Sequence, residues 1–317
     1  MTAVYPDLAE QRALVEDFMR PAETLLPVAR LQHGSDGDVA LWQQMAALGW
    51  LGVSLAENAG GIGLGPVEEV LAGISLGRQL PPPGFVASII AAHAFARTGY
   101  AAEARAIVAG EMRVAFALSD NAAVEATEAT WLVAIGDNAI TLSRLGEREI
   151  LDDAHWNRAI DRIAGREPSI GCDSADIVAL ARLLIAAHLA GIAAAACERA
   201  VDYSKVREQF GQPIGAFQAI KHRCADMAIA AHGARELTVY AAIALAESRG
   251  DAAILADAAL NFAARAAREN AGGNIQVHGG MGFSAECDAH QFLKAAHLLD
   301  AASGGSSRGR TRLMRSD

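Results

Sequence analysis

The chain has 317 residues, enough for a large core and for two or three domains, because single cores stop growing near about 250–300 residues. Hydrophobic residues make up 52% and charged residues 20%, with Ala dominant, which excludes a disordered chain and favours packed helices. A formal charge of −10 argues against nonspecific binding to nucleic acid or to an anionic membrane, and leaves small molecules and proteins as the expected partners.

The N-terminus, MTAVYPDLAEQRALVEDFMR, carries acids early and lacks a continuous apolar core, so it does not read as a signal peptide. Apolar residues recur at helical spacing from Leu8 to Gln32 and from Asp38 to Gly49. The Gly-rich turn segment GWLGVSLAENAGGIGLGP follows; it lacks the Gly-Lys-Ser/Thr of a phosphate loop. Pro66 opens a further helix, with Glu68 and Glu69 in the first turn where the dipole favours acids, and Pro81, Pro82 and Pro83 stop it after about Leu80. Two more helices are expected near Gly84–Thr98 and Ala101–Ala109.

The pattern changes at Arg113. VAFAL, WLVAI and AITLS are short apolar or alternating segments with a Gly136-Asp137-Asn138 turn between the last two, so a small β region of a few strands is expected before Ser174. From Ser174 to Tyr203 one long helix is nearly apolar all round. Its stretch LLIAAHLAGIAAAAC is interrupted by His188 and Gly191, and reads as a buried bundle helix with His188 in the core rather than as a membrane span. Helices near Ala216–Arg249, Ala252–Glu269 or a little beyond, and Ala289–Ala302 complete a four-helix bundle with short connections. The basic end, RGRTRLMRSD, reads as a solvated tail or a clamp on a partner. Cys172, Cys197, Cys224 and Cys287 form no CxxC pair, so neither a zinc site nor a disulfide framework is expected, and a reducing cytoplasm is the expected compartment.

Two segments could carry chemistry. In VREQFGQPIGAFQAIKHRCADM, Arg207 and Phe210 stand three apart just after a helix end. A guanidinium and a ring projecting together suit a pyrophosphate and a flat ring; the same pair also fits a surface arginine beside a corner plug. In NIQVHGGMGF, Gln276 lies one turn ahead of Gly279-Gly280-x-Gly282. Adjacent glycines let backbone approach a ligand closely and the amide can bond phosphate or adenine, while a helix C-terminus ending in glycine accounts for the same letters. His278 beside them can touch a ligand or serve as a structural hydrogen-bonder.

Together, REQFGQPIGAFQAIKHRCADM resembles the R-x-x-F-G…FQ…LADM corner of the acyl-CoA dehydrogenase family, and IQVHGGMGF its Q-x-x-GG-x-G segment. LGWLGVSLAENAGGIGLGP is similar to that family's N-terminal turn, so the resemblance spans nearly the whole chain outside the β region. It implies a mainly α fold with a reduced central β region: an N-terminal helical domain over 1–112, a shortened β domain over 113–173 and a C-terminal four-helix bundle over 174–317. In that family a Glu removes the α-proton of an acyl-CoA thioester while the β-hydride passes to FAD. An α-C–H is a very weak acid, so a positioned carboxylate is needed.

By this resemblance Arg207, Gln209, Phe210, Gln276, Gly279 and Gly280 are the FAD-binding residues, of the kind that reach across a dimer interface to the neighbour's cofactor. The positions of the family's base hold Ser303, in AASGGSS, and Ala181, just before Arg182. Arg182 itself can line the acyl cleft or sit in a salt bridge inside the bundle. The family's E-P-x-x-G-S-D loop is degraded in VAFALSDNAAVEAT, and its W-I-T-N strand is absent. The resemblance therefore implies the shortened subunit of a heteromeric α2β2 enzyme, like those of bacterial steroid side-chain breakdown. A full-length dehydrogenase subunit would be its partner, an acyl-CoA the substrate and an electron-transfer flavoprotein the electron acceptor. Two alternatives stay open: a self-sufficient enzyme with its base moved to Asp300 or Asp176, and a non-enzymatic scaffold.

Overall fold

Prolines set the first boundaries in the computed structural model, which describes residues 7–33, 39–126, 128–150, 160–163 and 166–314. Helix α1 (Ala9–Met19) stops ahead of Pro21, which leads into the single turn α2 (Ala22–Leu25), and beyond Pro27 the chain continues as a 3-10 helix (Val28–His33). The helical spacing read from Leu8 to Gln32 is thus broken twice, because proline supplies no amide and crowds the preceding turn. Helix α3 (Val39–Ala47) and α4 (Pro66–Gly77) follow, then α5 (Pro83–Arg97) and α6 (Ala101–Val108). Helix α4 ends three residues before Leu80, which turns the chain with a φ of 51°.

One seven-stranded sheet stands where a few strands were expected. Its members are β1 (Val114–Ser119), β2 (Ala122–Val124), β3 (Trp131–Ile135), β4 (Ile140–Leu145), β5 (Arg148–Ile150), β6 (Ile160–Ile163) and β7 (Arg166–Cys172). They lie in the order β5-β6-β2-β1-β3-β4-β7, and β1 and β3 run parallel, with Val114 opposite Trp131. Several of these strands are too short for an alternation to be visible, and β5 to β7 lie in a stretch where charged residues interrupt the apolar ones. One face buries Ala115, Ala123, Leu132 and Ile163; the other joins the main core, where the Trp131 ring meets Phe95 of α5 edge-on at 4.9 Å.

Helices α7 (Ala175–Val206), α8 (Gln218–Ala246), α9 (Ala252–His278) and α10 (Ala289–Ala302) form the bundle, and α11 (Ser306–Leu313) packs on α9. Between α7 and α8 stands a small hairpin of β8 (Glu208–Gln209) and β9 (Gln212–Pro213). Helix α9 runs past Glu269 through Gly272 and Gly273, where glycines invite a stop. A Cβ on Gly273 would sit 2.9 Å from the Met227 sulfur, so this glycine admits a side chain of α8.

Helix α7 carries a stretch of mean hydropathy 2.1, long and apolar enough to cross a membrane, but 89% of that stretch is buried inside the protein. It crosses α4 at backbone contact: a Cβ on Gly77 would lie 2.2 Å from the His188 carbonyl oxygen, and one on Gly191 would lie 2.2 Å from that of Ile74.

Candidate functional site

Helix α7 ends where the Arg207 amide donates to the Tyr203 carbonyl at 2.9 Å and Arg207 turns extended. The Ile214 amide returns to the Arg207 carbonyl at 2.8 Å and closes the hairpin. Its two loop residues, Phe210 and Gly211, have φ of 55° and 79°, the conformation of a type I′ turn. Asn-Gly is the usual choice there, and a bulky residue at positive φ costs about 1 kcal/mol or more. The Phe210 ring is also 93% exposed, touching Phe217 edge-on at 6.1 Å, which leaves unrealised most of the roughly 1.5–3 kcal/mol available from burying it. Gln209 is exposed and donates to the Glu208 carbonyl at 2.7 Å.

The second segment begins at the end of α9. Gly279 adopts φ 63° and ψ −141°, a region open only to glycine, and a 3-10 turn (Gly279–Phe283) follows. Gly282 is required by close packing, since its Cβ would stand 2.6 Å from the Ile275 carbonyl oxygen. At Gly279 and Gly280 a Cβ would meet nothing within 4 Å among the described residues, so their backbone is open to approach there. Gln276 is exposed, Met281 is half-exposed and Phe283 is 74% exposed.

A ring pair brings the segments together. His278 lies on Tyr203 with centroids 4.0 Å apart and planes at 21°, and its Nδ1 donates to the Asn274 carbonyl at 2.9 Å. Tyr203, one turn before Arg207, is the residue the sequence reading missed; its i−4 spacing from Arg207 was the available signal. Arg207, Gln209 and Phe210 thus stand on one side of this stack, with Gln276, Gly279 and Gly280 on the other. An unpaired cation among the described residues, a free amide, open glycine backbone and an exposed ring fit an anionic dinucleotide with a flat ring. All of them are exposed, so this chain furnishes one wall of such a site.

The base positions carry no carboxylate. Ser303 is 4% exposed and its hydroxyl donates to the Asp300 carbonyl at 2.7 Å, while Ala181 is buried. Asp300 is engaged in an ion pair with Arg268. At Asp176, burial pushes the carboxyl up, but the hydrogen bonds from Ser174 and the Ile177 amide, with Arg97 nearby, outweigh it and hold the group below the usual range. Asp176 is thereby made a poorer base.

Arg182 is 4% exposed and adopts the salt-bridge arrangement: its Nε is 3.4 Å from Asp257 Oδ1, and its guanidinium donates to the carbonyls of Gly136 and Asp137 in the β3–β4 turn. Burial depresses its pKa, partly countered by Asp257. The basic C-terminal segment is helical over Ser306–Leu313 rather than a free tail; Arg312 joins this network, and residues 315–317 lie outside the described residues. Asp257 was not singled out from the sequence, although a lone acid on an Ala-rich helical face needs a cation when buried.

His188 is fully buried, its Nδ1 donating to the Leu184 carbonyl at 2.8 Å, and burial pushes its pKa down to about 4. Its Nε2 has no partner among the described residues; the ring lines a cavity of about 10 Å³ with Pro81, Val86, Ile192 and Leu299, room for about one water.

A family model described as "Acyl-CoA dehydrogenase, N-terminal domain" matches residues 8–117, and one described as "Acyl-CoA dehydrogenase, C-terminal domain" matches residues 175–316. Acyl-CoA dehydrogenase FadE34 of Mycobacterium tuberculosis is 30% identical over 340 residues, covering 97% of this chain and 47% of FadE34, so the chain spans about half the length of that relative. Among solved structures, the ChsE4-ChsE5 complex from Mycobacterium tuberculosis superposes with a TM-score of 0.77 at 24% identity, over 99% of this chain and 98% of the matched one. The Tcur3481-Tcur3483 steroid ACAD G363A variant gives 0.78 at 24% identity, over 97% and 96%.

Proposed function

This chain belongs to the acyl-CoA dehydrogenase family, and on that premise we propose that it is the accessory subunit of a heteromeric, flavin-dependent enzyme. A companion full-length dehydrogenase supplies the carboxylate base and most of the flavin pocket. This chain closes the pocket with Arg207, Gln209, Phe210, Gln276, Gly279 and Gly280. FAD, when bound, accepts the hydride. The reaction is α,β-desaturation of an acyl-CoA thioester, with steroid side-chain thioesters as the substrate class, an α2β2 assembly, an electron-transfer flavoprotein as acceptor and the cytoplasm as compartment.

The observation that carries this reading is the Phe210 corner. A phenyl ring held at positive φ and 93% exposed is costly in an isolated chain, and a second protein surface would recover that cost. Its neighbours support the same reading: open backbone at Gly279 and Gly280, beside a chain with Ser303 and Ala181 where bases would stand. The matched ChsE4-ChsE5 structure is itself a complex, and the matched Tcur3481-Tcur3483 structure is a steroid enzyme.

The test is to express the chain alone and with a full-length dehydrogenase companion, and to read FAD by visible absorbance. The expected result is one FAD per pair of chains in the co-purified complex, and little in the chain alone. A fully flavinated, active homomer would overturn the proposal.

A further inference from the structure

The stacked rings of Tyr203 and His278 lie where the two candidate segments meet. Each residue of the stack is tied to the backbone of its own segment. The Tyr203 carbonyl accepts the Arg207 amide, and His278, the residue immediately before Gly279, donates from Nδ1 to the Asn274 carbonyl. Beneath the stack, Cys197, Ala200, Met227 and Val277 form a small apolar cluster against which Tyr203 and Ile214 pack. Ile214 in turn carries the amide that closes the Arg207 hairpin.

The side chains of Arg207 and Gln276 have no hydrogen-bonding or ionic partner among the described residues, so neither is fixed through its own contacts. Their relative placement has to come from the frame beneath them. That frame includes a flat contact between the last turn of α7 and the last turn of α9, one residue from Gly279 and one helical turn from Arg207, above the shared apolar cluster.

We infer that Tyr203 and His278 are positioning residues: their stack sets the spacing between the Arg207 guanidinium and the Gly279-Gly280 backbone, so that one anionic dinucleotide is held by both at once. This deepens the function proposed above and rests on it. The inference assigns His278 a role that needs a flat ring, not a ring nitrogen facing the ligand.

The experiment uses the co-purified complex with the companion dehydrogenase carrying Tyr203→Ala, Tyr203→Phe, His278→Ala, His278→Phe or Arg207→Ala in this chain. Bound FAD is measured by absorbance, its release rate by flavin fluorescence, and folding by the melting temperature of the complex. Tyr203→Ala and His278→Ala are expected to speed FAD release by roughly threefold to tenfold, the range of an aromatic pair. Tyr203→Phe and His278→Phe, which keep a flat ring, are expected to restore retention. If Arg207→Ala loses FAD while both alanine variants at the stack retain it, the positioning role is overturned and the shared-site reading survives. Failure of His278→Phe to restore retention would also overturn the positioning role. If Arg207→Ala itself keeps its FAD, the shared-site reading falls. Should an alanine variant fail to assemble, the two phenylalanine variants decide the matter, since a stack that positions the segments must tolerate both.

Discussion

Arg312 places Nε and Nη2 at 3.0 and 2.8 Å from one oxygen of Asp257, the carboxylate that also faces Arg182 across the bundle. A third contact, Arg312 Nη1 to Asp137 at 2.9 Å, ties α11 to the β3–β4 turn. Removing the shared anion leaves two cations facing each other with little solvent. Asp257→Asn is expected to destabilise the chain by about 3–5 kcal/mol in urea unfolding, the cost of breaking a buried pair from one side. Adding Arg182→Met should recover part of that loss.

The buried imidazole of His188 predicts a pH dependence whose sign is fixed. Its native pKa, about 4, lies below the ordinary 6.5, so between these values the unfolded chain binds a proton that the native chain does not. Stability therefore falls as the pH drops from 6.5 towards 4, by about 3 kcal/mol in all from this group. His188→Met should gain on the native chain by that amount between pH 7 and pH 4, measured by denaturant unfolding at each pH.

The crossing of α4 and α7 tolerates no side chain at its two glycines. Gly77→Ala and Gly191→Ala would each force a methyl to within 2.2 Å of a carbonyl oxygen on the facing helix. Each is expected to cost about 3 kcal/mol or more and to lower the melting temperature by several degrees, despite the better helix propensity of alanine.

Asp300 separates a structural carboxylate from a catalytic one. As the partner of Arg268, its replacement by Asn is expected to cost about 2 kcal/mol of stability. Turnover of the reconstituted complex should be unchanged at a temperature where the variant is folded. Loss of proton abstraction without loss of stability would instead mark Asp300 as the base.

Phe210→Ser removes a ring that the isolated chain does not bury. The melting temperature of the chain alone should stay within about 1 kcal/mol equivalent of the native value. Affinity for the companion, read by titration calorimetry, should weaken by about 1–3 kcal/mol.

The helices were legible because their signals are local. Proline and acids at the start of α4, three prolines after it and the long apolar run of α7 fix elements without reference to the rest of the fold. The strands of the sheet were less so, because a segment as short as Ala122–Val124 acquires its identity from the Phe116 and Ile160 neighbours it pairs between. The family segments at Arg207 and Gln276 were readable as motifs, yet nothing in them reveals that Tyr203 and His278 join them. The network at Asp257 was hidden for the same reason: Arg182, Asp137 and Arg312 are distant in sequence, and only the packed bundle brings the two arginines onto one carboxylate, with Asp137 pairing Arg312 beside them.

Helix α7 also has a history during synthesis. It emerges after α4, whose glycine-notched surface is ready to receive it, but before α8 and α9, which cover its remaining faces. At roughly 5–20 residues per second, the ribosome needs several seconds to pass from Val206 to His278. Throughout that interval a segment as oily as a membrane span stands partly bare. Nascent chains of this protein should therefore be clients for chaperones that bind apolar helices, and any slowing of translation within α8 would lengthen the exposure.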